Sequence, residues 1–279
     1  QTARQSFAYD IVGASGVVSA LSLLALGMRV GGLVGSLAAG SLTARAGPGV
    51  AYLVLAAGYL LAGLSLIPVR SRGQAAPVER HPVWQNLKEY FREVRHNRSL
   101  LGLVIVTGAV EVLGFSHQTL LPSLARDVLK VGPEGLGIMN AVRSVGGILG
   151  IMFLSALGET RRKGPMLLGV ISLFGISLVL LGFAPNFALA LVVLTLINGL
   201  SVLSDILSQS LMQLAVANEL RGRAMGSWVL AIGMGPVGHL QVGALAGALS
   251  VAFALTFNGA GLLALGLAAA ALFPRLRRL

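Results

Sequence analysis

The chain has 279 residues, of which 55% are hydrophobic and 11% are charged. Soluble domains carry roughly a quarter charged residues, so this composition excludes an ordinary soluble globular protein. The absence of cysteine excludes disulfides and thiolate metal sites. The net charge is +11, and because the basic residues lie in short loops between apolar runs, they indicate membrane orientation and not nucleic-acid binding.

Apolar stretches long enough to cross a bilayer, about 20 residues each, recur along the chain. The sequence predicts an all-α, polytopic transmembrane helix bundle with about eight spans. They cover residues 12–41, 49–67, 100–121, 135–157, 165–183, 187–212, 224–249 and 251–273. A weak break near Ser250 separates the last two spans.

Basic residues fall unequally on the two sides of the predicted spans. Threading the eight spans alternately places sixteen Lys and Arg residues on one side and three on the other, namely Arg45, Arg126 and Lys130. Cytoplasmic loops retain positive charge. We therefore expect a multi-pass protein of the plasma or inner membrane, surrounded by lipid bilayer, with both termini cytoplasmic and segment 122–134 outside.

Glycines at helical spacing mark the first and fourth spans. Gly27, Gly31 and Gly35 lie in one, and Gly146, Gly147 and Gly150 in the other. Small residues let membrane helices approach closely. We predict that these two spans pack together through their glycine faces, so that a larger side chain at Gly35 or Gly147 would block their close approach.

A long polar segment divides the chain into residues 1–68, a linker at 69–99 and residues 100–279. Within the linker, Trp84 to Val94 has the spacing of an amphipathic interfacial helix, although an ordinary solvated helix fits as well. The first and last helix pairs also share a weak repeat, which predicts two six-helix halves with four helices missing from the first. A chance pattern among glycine-rich helices is the alternative.

Three motifs resemble the major facilitator superfamily. They are the loop from Leu157 to Gly164, the run from Gln213 to Gly226, and the glycines of the first span. The resemblance is to the bacterial efflux branch that includes the enterobactin exporter and macrolide efflux permeases, and it implies that the chain corresponds to helices five to twelve of twelve. The antiporter glycine stretch departs from the family pattern at Gly32 and Ser36.

The resemblance also implies gating by two charged loops. Their residues are Glu159, Arg161, Arg162 and Lys163 in the first loop, and Glu219, Arg221 and Arg223 in the second. Salt bridges exchanged with neighbouring helix ends would give each loop two arrangements. The alternative is that these basic residues only set the topology.

Ionisable residues at membrane depth are costly unless they face a partner or a water-filled cavity. The predicted substrate and proton pathway consists of Arg29, Glu111, His117, Arg143, Asn198, Asp205 and His239. Glu111 and Arg143 match in depth, which predicts an ion pair. Glu111 or Asp205 is the candidate proton carrier, while singly each polar residue also fits an interhelical hydrogen bond.

These features predict a secondary transporter that exports a small amphipathic molecule, driven by an ion or proton gradient. A membrane-embedded structural or regulatory protein, or a transport-inactive fragment, is the alternative. An intramembrane enzyme is less favoured, because the sequence has no nucleophile and base at helical spacing and no His-Glu-x-x-His or Gly-x-Ser-x-Gly motif. The sequence also has no phosphate-binding loop, so ATP-driven pumping is not supported. We expect no cofactor and no metal.

Overall fold

The computed structural model describes the backbone of residues 2–67, 97–157, 162–215 and 221–272. Side chains are described from residue 23 onward, except at 25, 26, 29, 98, 221–225 and 272. All regular structure in these ranges is helical. The helices are α1 (Thr2–Leu66), α2 (Arg98–Leu113), α3 (Gly132–Leu157), α4 (Lys163–Gly182), α5 (Phe187–Leu214), α6 (Arg221–Ile232), α7 (Gly235–Ala248) and α8 (Val251–Leu272).

The described residues contain seven helical segments long and apolar enough to cross a membrane, which confirms the polytopic all-α class. They are Val30–Leu66, Ser99–Val128, Gly132–Leu157, Lys163–Gly182, Phe187–Leu214, Gly226–Ala248 and Val251–Ala271. Six of the seven correspond to the last six predicted spans. The predicted count of eight differs because the first two spans fall within one continuous element, α1.

α1 nevertheless has a local irregularity where the sequence predicts a loop. Gly47 has a φ of +82°, a conformation that glycine adopts without steric penalty, and it precedes Pro48, which lacks an amide hydrogen. The right-handed helix is therefore interrupted at this point, between the predicted spans 12–41 and 49–67.

The chain divides into two compact units. The first comprises Gln1–Pro82 and Pro133–Ala141, and the second comprises Val83–Gly132 and Val142–Leu279. Within the first unit, a methyl group added at Gly40 would lie 2.8 Å from the Gly137 Cα atom. The start of α3 therefore packs directly on α1 at Gly40 and Gly137, whereas a methyl group added at Gly35 would meet nothing within 4 Å.

The second unit is held together by close backbone crossings at glycines. A methyl group added at Gly175 of α4 would lie 2.6 Å from the carbonyl oxygen of Gly259 in α8. Gly150 of α3 lies equally close to Gly199 of α5. Since no side chain separates these backbones, the helices approach closely enough for extensive van der Waals contact.

The membrane segment that begins with α2 changes its helical form along its length. Asn97 caps its start, where the Asn97 side chain accepts hydrogen bonds from the amides of Ser99 and Leu100. After Gly114 it continues as a 3₁₀ helix (Phe115–Leu120), a short α-turn and a π-helical turn (Leu124–Val128). The predicted outer segment 122–134 is thus mostly helical.

The segment containing α6 and α7 is interrupted as well. Gly233 and Met234 form a turn between Ile232 and Gly235, in the middle of the predicted seventh span. The weak break predicted near Ser250 is confirmed: α7 ends at Ala248, and the Ser250 hydroxyl oxygen accepts a hydrogen bond from the Phe253 amide at the start of α8. The predicted linker helix lies outside the described residues.

Candidate functional site

The two interrupted membrane segments meet around Glu111, near the end of α2. The Glu111 carboxyl lies 3.4 Å from the position that a methyl group on Gly235 would occupy, at the first residue of α7. One turn away, Gly238 of α7 packs on the backbone of Val112, since an added methyl group would lie 2.7 Å from the Val112 Cα atom. Irregular backbone at membrane depth occurs where it is enclosed by protein or lines a cavity.

A second carboxylate lies close to Glu111. Asp205 of α5 is near enough for its charge to act on Glu111. The Trp228 indole of α6 donates a hydrogen bond of 2.9 Å to the Asp205 carboxylate. Three helices therefore contribute to one acidic cluster, which we define as Glu111, Asp205 and Trp228.

Arg143 and Asn198 form a neighbouring polar contact. The Arg143 guanidinium donates to the Asn198 side-chain oxygen at 3.3 Å, and the Asn198 amide donates at 2.9 Å to the Leu194 carbonyl in its own helix. Both side chains lie within the second unit. The predicted ion pair between Glu111 and Arg143 is not one of these contacts, and it stays a prediction.

His117 is almost completely buried, with 1% of its surface exposed. Its Nδ1 atom lies 2.6 Å from the Gly114 carbonyl oxygen. A carbonyl oxygen can only accept, so Nδ1 carries the hydrogen, and in the neutral ring Nε2 then presents a lone pair. Nε2 is buried without a hydrogen-bond partner among the described residues. The ring lies edge-on to Phe174, and Arg143 is close enough to interact with it electrostatically.

A chain of polar side chains joins three further elements. Gln241 of α7 donates 2.9 Å to Asn258 of α8, and Asn258 donates 3.0 Å to the Ser116 hydroxyl oxygen in the 3₁₀ helix. Asn258 and Ser116 are buried, and the Gln241 side-chain oxygen is buried without a protein partner. This chain extends the polar interior beyond the acidic cluster.

Five of the seven predicted pathway residues therefore lie at polar contacts within the second unit. They are Glu111, His117, Arg143, Asn198 and Asp205. His239 is exposed on α7, and the Arg29 side chain lies outside the described residues.

The predicted gating loops are described only in part. Arg162 is exposed just before α4, and Lys163 donates to the Ser210 hydroxyl at 3.5 Å. Glu159, Arg161 and Glu219 lie outside the described residues. Arg221 and Arg223 belong to α6, whose first side chains are likewise not described.

The predicted packing glycines differ in how close their nearest neighbouring atoms lie. Methyl groups added at Gly27, Gly31 or Gly35 would meet nothing within 4 Å, whereas Gly146 and Gly150 lie against Thr195 and Gly199. Gly147 is buried.

Sequence reasoning missed Trp228, Ser116 and Asn258. Asn258 carries a signal that could have been found, because it is a polar amide inside an apolar span, where it needs a partner. Trp228 carries none, because tryptophan is common in membrane segments and its bond to Asp205 depends on how α5 and α6 pack.

Comparison with known proteins identifies the family. A model of the transmembrane secretion effector family matches residues 1–278. The chain belongs to this family, an efflux branch of the major facilitator superfamily. The transmembrane secretion effector family and the relatives below are transporters, and the chain is a multi-pass membrane protein.

Similar proteins include enterobactin exporters. The chain is 26% identical over 270 residues to the enterobactin exporter EntS of Shigella boydii serotype 18. It is 25% identical over the same length to EntS of Escherichia coli and of Escherichia fergusonii. Each match covers 96% of this chain and 64% of the relative, so the chain spans just under two thirds of these exporters.

Proposed function

We propose that the chain belongs to a secondary active transporter that exports a small amphipathic molecule, driven by a proton gradient. The observation that carries this proposal is the meeting of two interrupted membrane helices around Glu111, with Asp205 beside it. Transporters bind substrates and coupling ions near the membrane midplane, at such discontinuous helices.

The acidic cluster suits proton coupling. Two ionised carboxylates in a partly enclosed site repel each other, and one shared proton relieves this repulsion. The Trp228 indole is a donor only, so it holds Asp205 in the orientation that accepts a hydrogen bond. On this proposal, Glu111 binds and releases the proton. Because Asp205 lies on another helix, movement of α5 relative to α2 changes the repulsion between the two carboxylates and so changes how readily Glu111 holds the proton.

The polar contacts beside the cluster suit substrate recognition. Arg143 offers a cation, His117 a buried acceptor, and Gln241 a second buried acceptor. Apolar residues surround them, including Phe174, which is fully buried. Such a mixture of apolar walls and few polar groups is typical of small-molecule sites.

Proton coupling can be tested with ethidium, a small amphipathic dye, in cells that express the native protein. We expect efflux that a protonophore abolishes, and a loss of at least tenfold in efflux rate for Glu111→Gln and Asp205→Asn. Asp127→Asn is the matched control, because Asp127 is an exposed carboxylate paired with Arg126. Efflux that survives both cluster substitutions would contradict the role of the cluster.

We also propose that both termini face the cytoplasm of the plasma or inner membrane. This orientation rests on the distribution of basic residues. Lys130 and Arg162 are exposed residues at opposite ends of α3, so cysteines there test it in the cysteine-free background. An impermeant thiol reagent should label Lys130→Cys on intact cells and Arg162→Cys only after permeabilisation, and the reverse result would overturn the orientation.

A further inference from the structure

An apolar groove lies between α3, α4 and α5, apart from the polar site. It has a volume of about 490 Å³. Gly146, Gly150 and Gly199 form its floor, because these glycines carry no side chains to fill it, and Leu149, Phe153 and Leu196 form its walls. We refer to it as the glycine groove.

The side chains that line the glycine groove provide no free polar group that could bind a polar ligand. Its single hydroxyl group, on Thr195, already donates 2.8 Å to the Leu191 carbonyl of the same helix. The wall residues Leu149 and Phe153 are 51% and 55% exposed on the outside of helices that are long enough to span a membrane. The occupant of this groove must therefore be hydrocarbon.

Basic residues lie between the end of α3 and the start of α4. Arg162 is exposed immediately before α4. The Lys163 ammonium group donates a hydrogen bond to Ser210 of α5, so this ammonium group lies between α4 and α5. Residues 159–163 carry three basic side chains and one acidic one. This end of the helices is therefore complementary to an anionic headgroup.

The glycine groove lies near the middle of the helices that line it. On α5 its lining runs from Val192, about 8 Å from the start of the helix at Phe187, to Leu203, about 16 Å from its end at Leu214. At 1.5 Å per residue, the stretch from Phe153 to Gly146 lies about 6 to 16 Å from the end of α3 at Leu157. Leu173 lies about 15 Å from Lys163, by the same measure. Gly199 likewise lies about 16 Å along α5 from Ser210, the residue that Lys163 contacts. The hydrocarbon part of one leaflet is about 15 Å thick, so an acyl chain with its headgroup at Lys163 reaches the middle of the groove.

We propose that the glycine groove is a binding site for a single anionic phospholipid. One acyl chain lies in the groove over Gly146, Gly150 and Gly199, and the phosphate contacts Arg162 and Lys163. Burying hydrocarbon in a preformed groove retains the lipid, while the basic pair selects its headgroup. The site shares no residue with the acidic cluster, while Arg162 and Lys163 also belong to the first predicted gating loop. Lipid retention is therefore measured separately from transport.

Native mass spectrometry of the purified full chain tests this proposal. The chain is exchanged into equal amounts of dioleoylphosphatidylglycerol and dioleoylphosphatidylcholine, and the lipids that remain after partial delipidation are counted. We expect one retained phosphatidylglycerol, enriched at least fivefold over phosphatidylcholine. Equal retention of the two lipids would overturn the headgroup contact.

Two pairs of variants separate the two parts of the site. Arg162→Gln with Lys163→Gln should abolish the enrichment, whereas Lys130→Gln, at an exposed lysine of the opposite end, should not. Leu196→Trp fills the groove and should reduce retention at least fivefold, whereas Leu267→Trp on α8, also largely exposed, should leave it unchanged. Thermal melting of each variant shows whether it is folded.

Two other occupants would give different results. Displacement of the retained lipid by inorganic phosphate alone would indicate a free anion site and overturn the lipid assignment. A dimer peak that Leu196→Trp abolishes would mean that a second copy of the chain fills the groove, which would also overturn it.

Discussion

Glycines in α1 and glycines in the second unit occupy very different surroundings, although both lie in apolar helices. Methyl groups added at Gly31, Gly35 or Gly58 of α1 would meet nothing within 4 Å. The equivalent groups at Gly175 and Gly259 would each lie 2.6 Å from backbone of the facing helix.

Burial follows the same division. The most apolar part of Val30–Leu66 is not buried at all, whereas more than half of that of Lys163–Gly182 is buried, although the two helical segments are similarly apolar. Hydropathy therefore determines which segments enter a membrane, but helix packing depends on which glycines face a partner. The difference can be tested by adding one methyl group at a time.

The largest effect is expected at the crossing of α4 and α8. Gly175→Ala places a methyl group 2.6 Å from both the Gly259 carbonyl oxygen and the Leu263 amide nitrogen, so these backbones must separate. Overpacking of this kind costs about 3 kcal/mol at the upper end of its usual range. Thermal and denaturant unfolding in detergent should show the loss.

Gly58→Ala on α1 is the matched control. Nothing lies within 4 Å of the added methyl group, and alanine forms helix better than glycine by about 1 kcal/mol. Its stability should be unchanged or slightly higher. Equal destabilisation by both substitutions would mean that the free surface of α1 is covered in the folded protein.

A smaller effect is expected where α1 does contact another helix. Gly137→Ala directs a methyl group to 2.7 Å from the Ser36 carbonyl oxygen and 2.9 Å from the Gly40 Cα atom. We expect a loss of about 2 kcal/mol, within the range for overpacking. Gly35→Ala, on the same helix but without a neighbour, should have no such effect in the same unfolding measurement.

If Gly35→Ala destabilises the protein as much as Gly137→Ala does, the pairing predicted from the sequence would be favoured over the contact in the structure. This outcome would also shift the crossing point along α1 by more than one turn, since Gly35 precedes Gly40 by five residues.

The sequence was sufficient to predict the fold class, because hydrophobic length alone identifies membrane helices. It could not predict that Gly114 ends a regular helix. Gly114 lies against the Phe174 ring, and a methyl group there would come within 2.8 Å of that ring, so the break reflects tertiary packing. The turn at Gly233 and Met234 was missed for a related reason, since glycine in a membrane helix does not by itself signal a break.

The sequence indicates which polar residues lie at membrane depth, but it does not specify their contacts. Intramembrane charges are rare, so Glu111, Arg143 and Asp205 were found directly. Depth along two helices predicted that Glu111 would pair with Arg143. Depth does not specify which side of a helix a residue faces, and in the structure Glu111 lies near Asp205 while Arg143 contacts Asn198.

The hydrogen bond between Trp228 and Asp205 provides the next test of the difference between α1 and the second unit. Trp228→Phe removes the indole donor from Asp205 while it keeps an aromatic ring in place. We expect a loss of about 1 kcal/mol in unfolding free energy, the usual net contribution of a hydrogen bond. Ser65→Ala is the control, because the Ser65 hydroxyl bonds only to Ala62 within α1, and a comparable loss there would contradict the expected difference.

The smallest effect concerns the choice of partner for Arg143. A double-mutant cycle with Arg143→Gln and Asn198→Ala should give a coupling energy of about 0.6 kcal/mol, the average for hydrogen bonds between membrane helices. The same cycle with Glu111→Gln in place of Asn198→Ala tests the ion pair predicted from the sequence, and additivity within about 0.5 kcal/mol would mean that the two residues act separately. A larger coupling between Glu111 and Arg143 would support the ion pair predicted from the sequence. Arg143 can contact both residues at once, because its guanidinium has five N–H donors and the bond to Asn198 uses Nε.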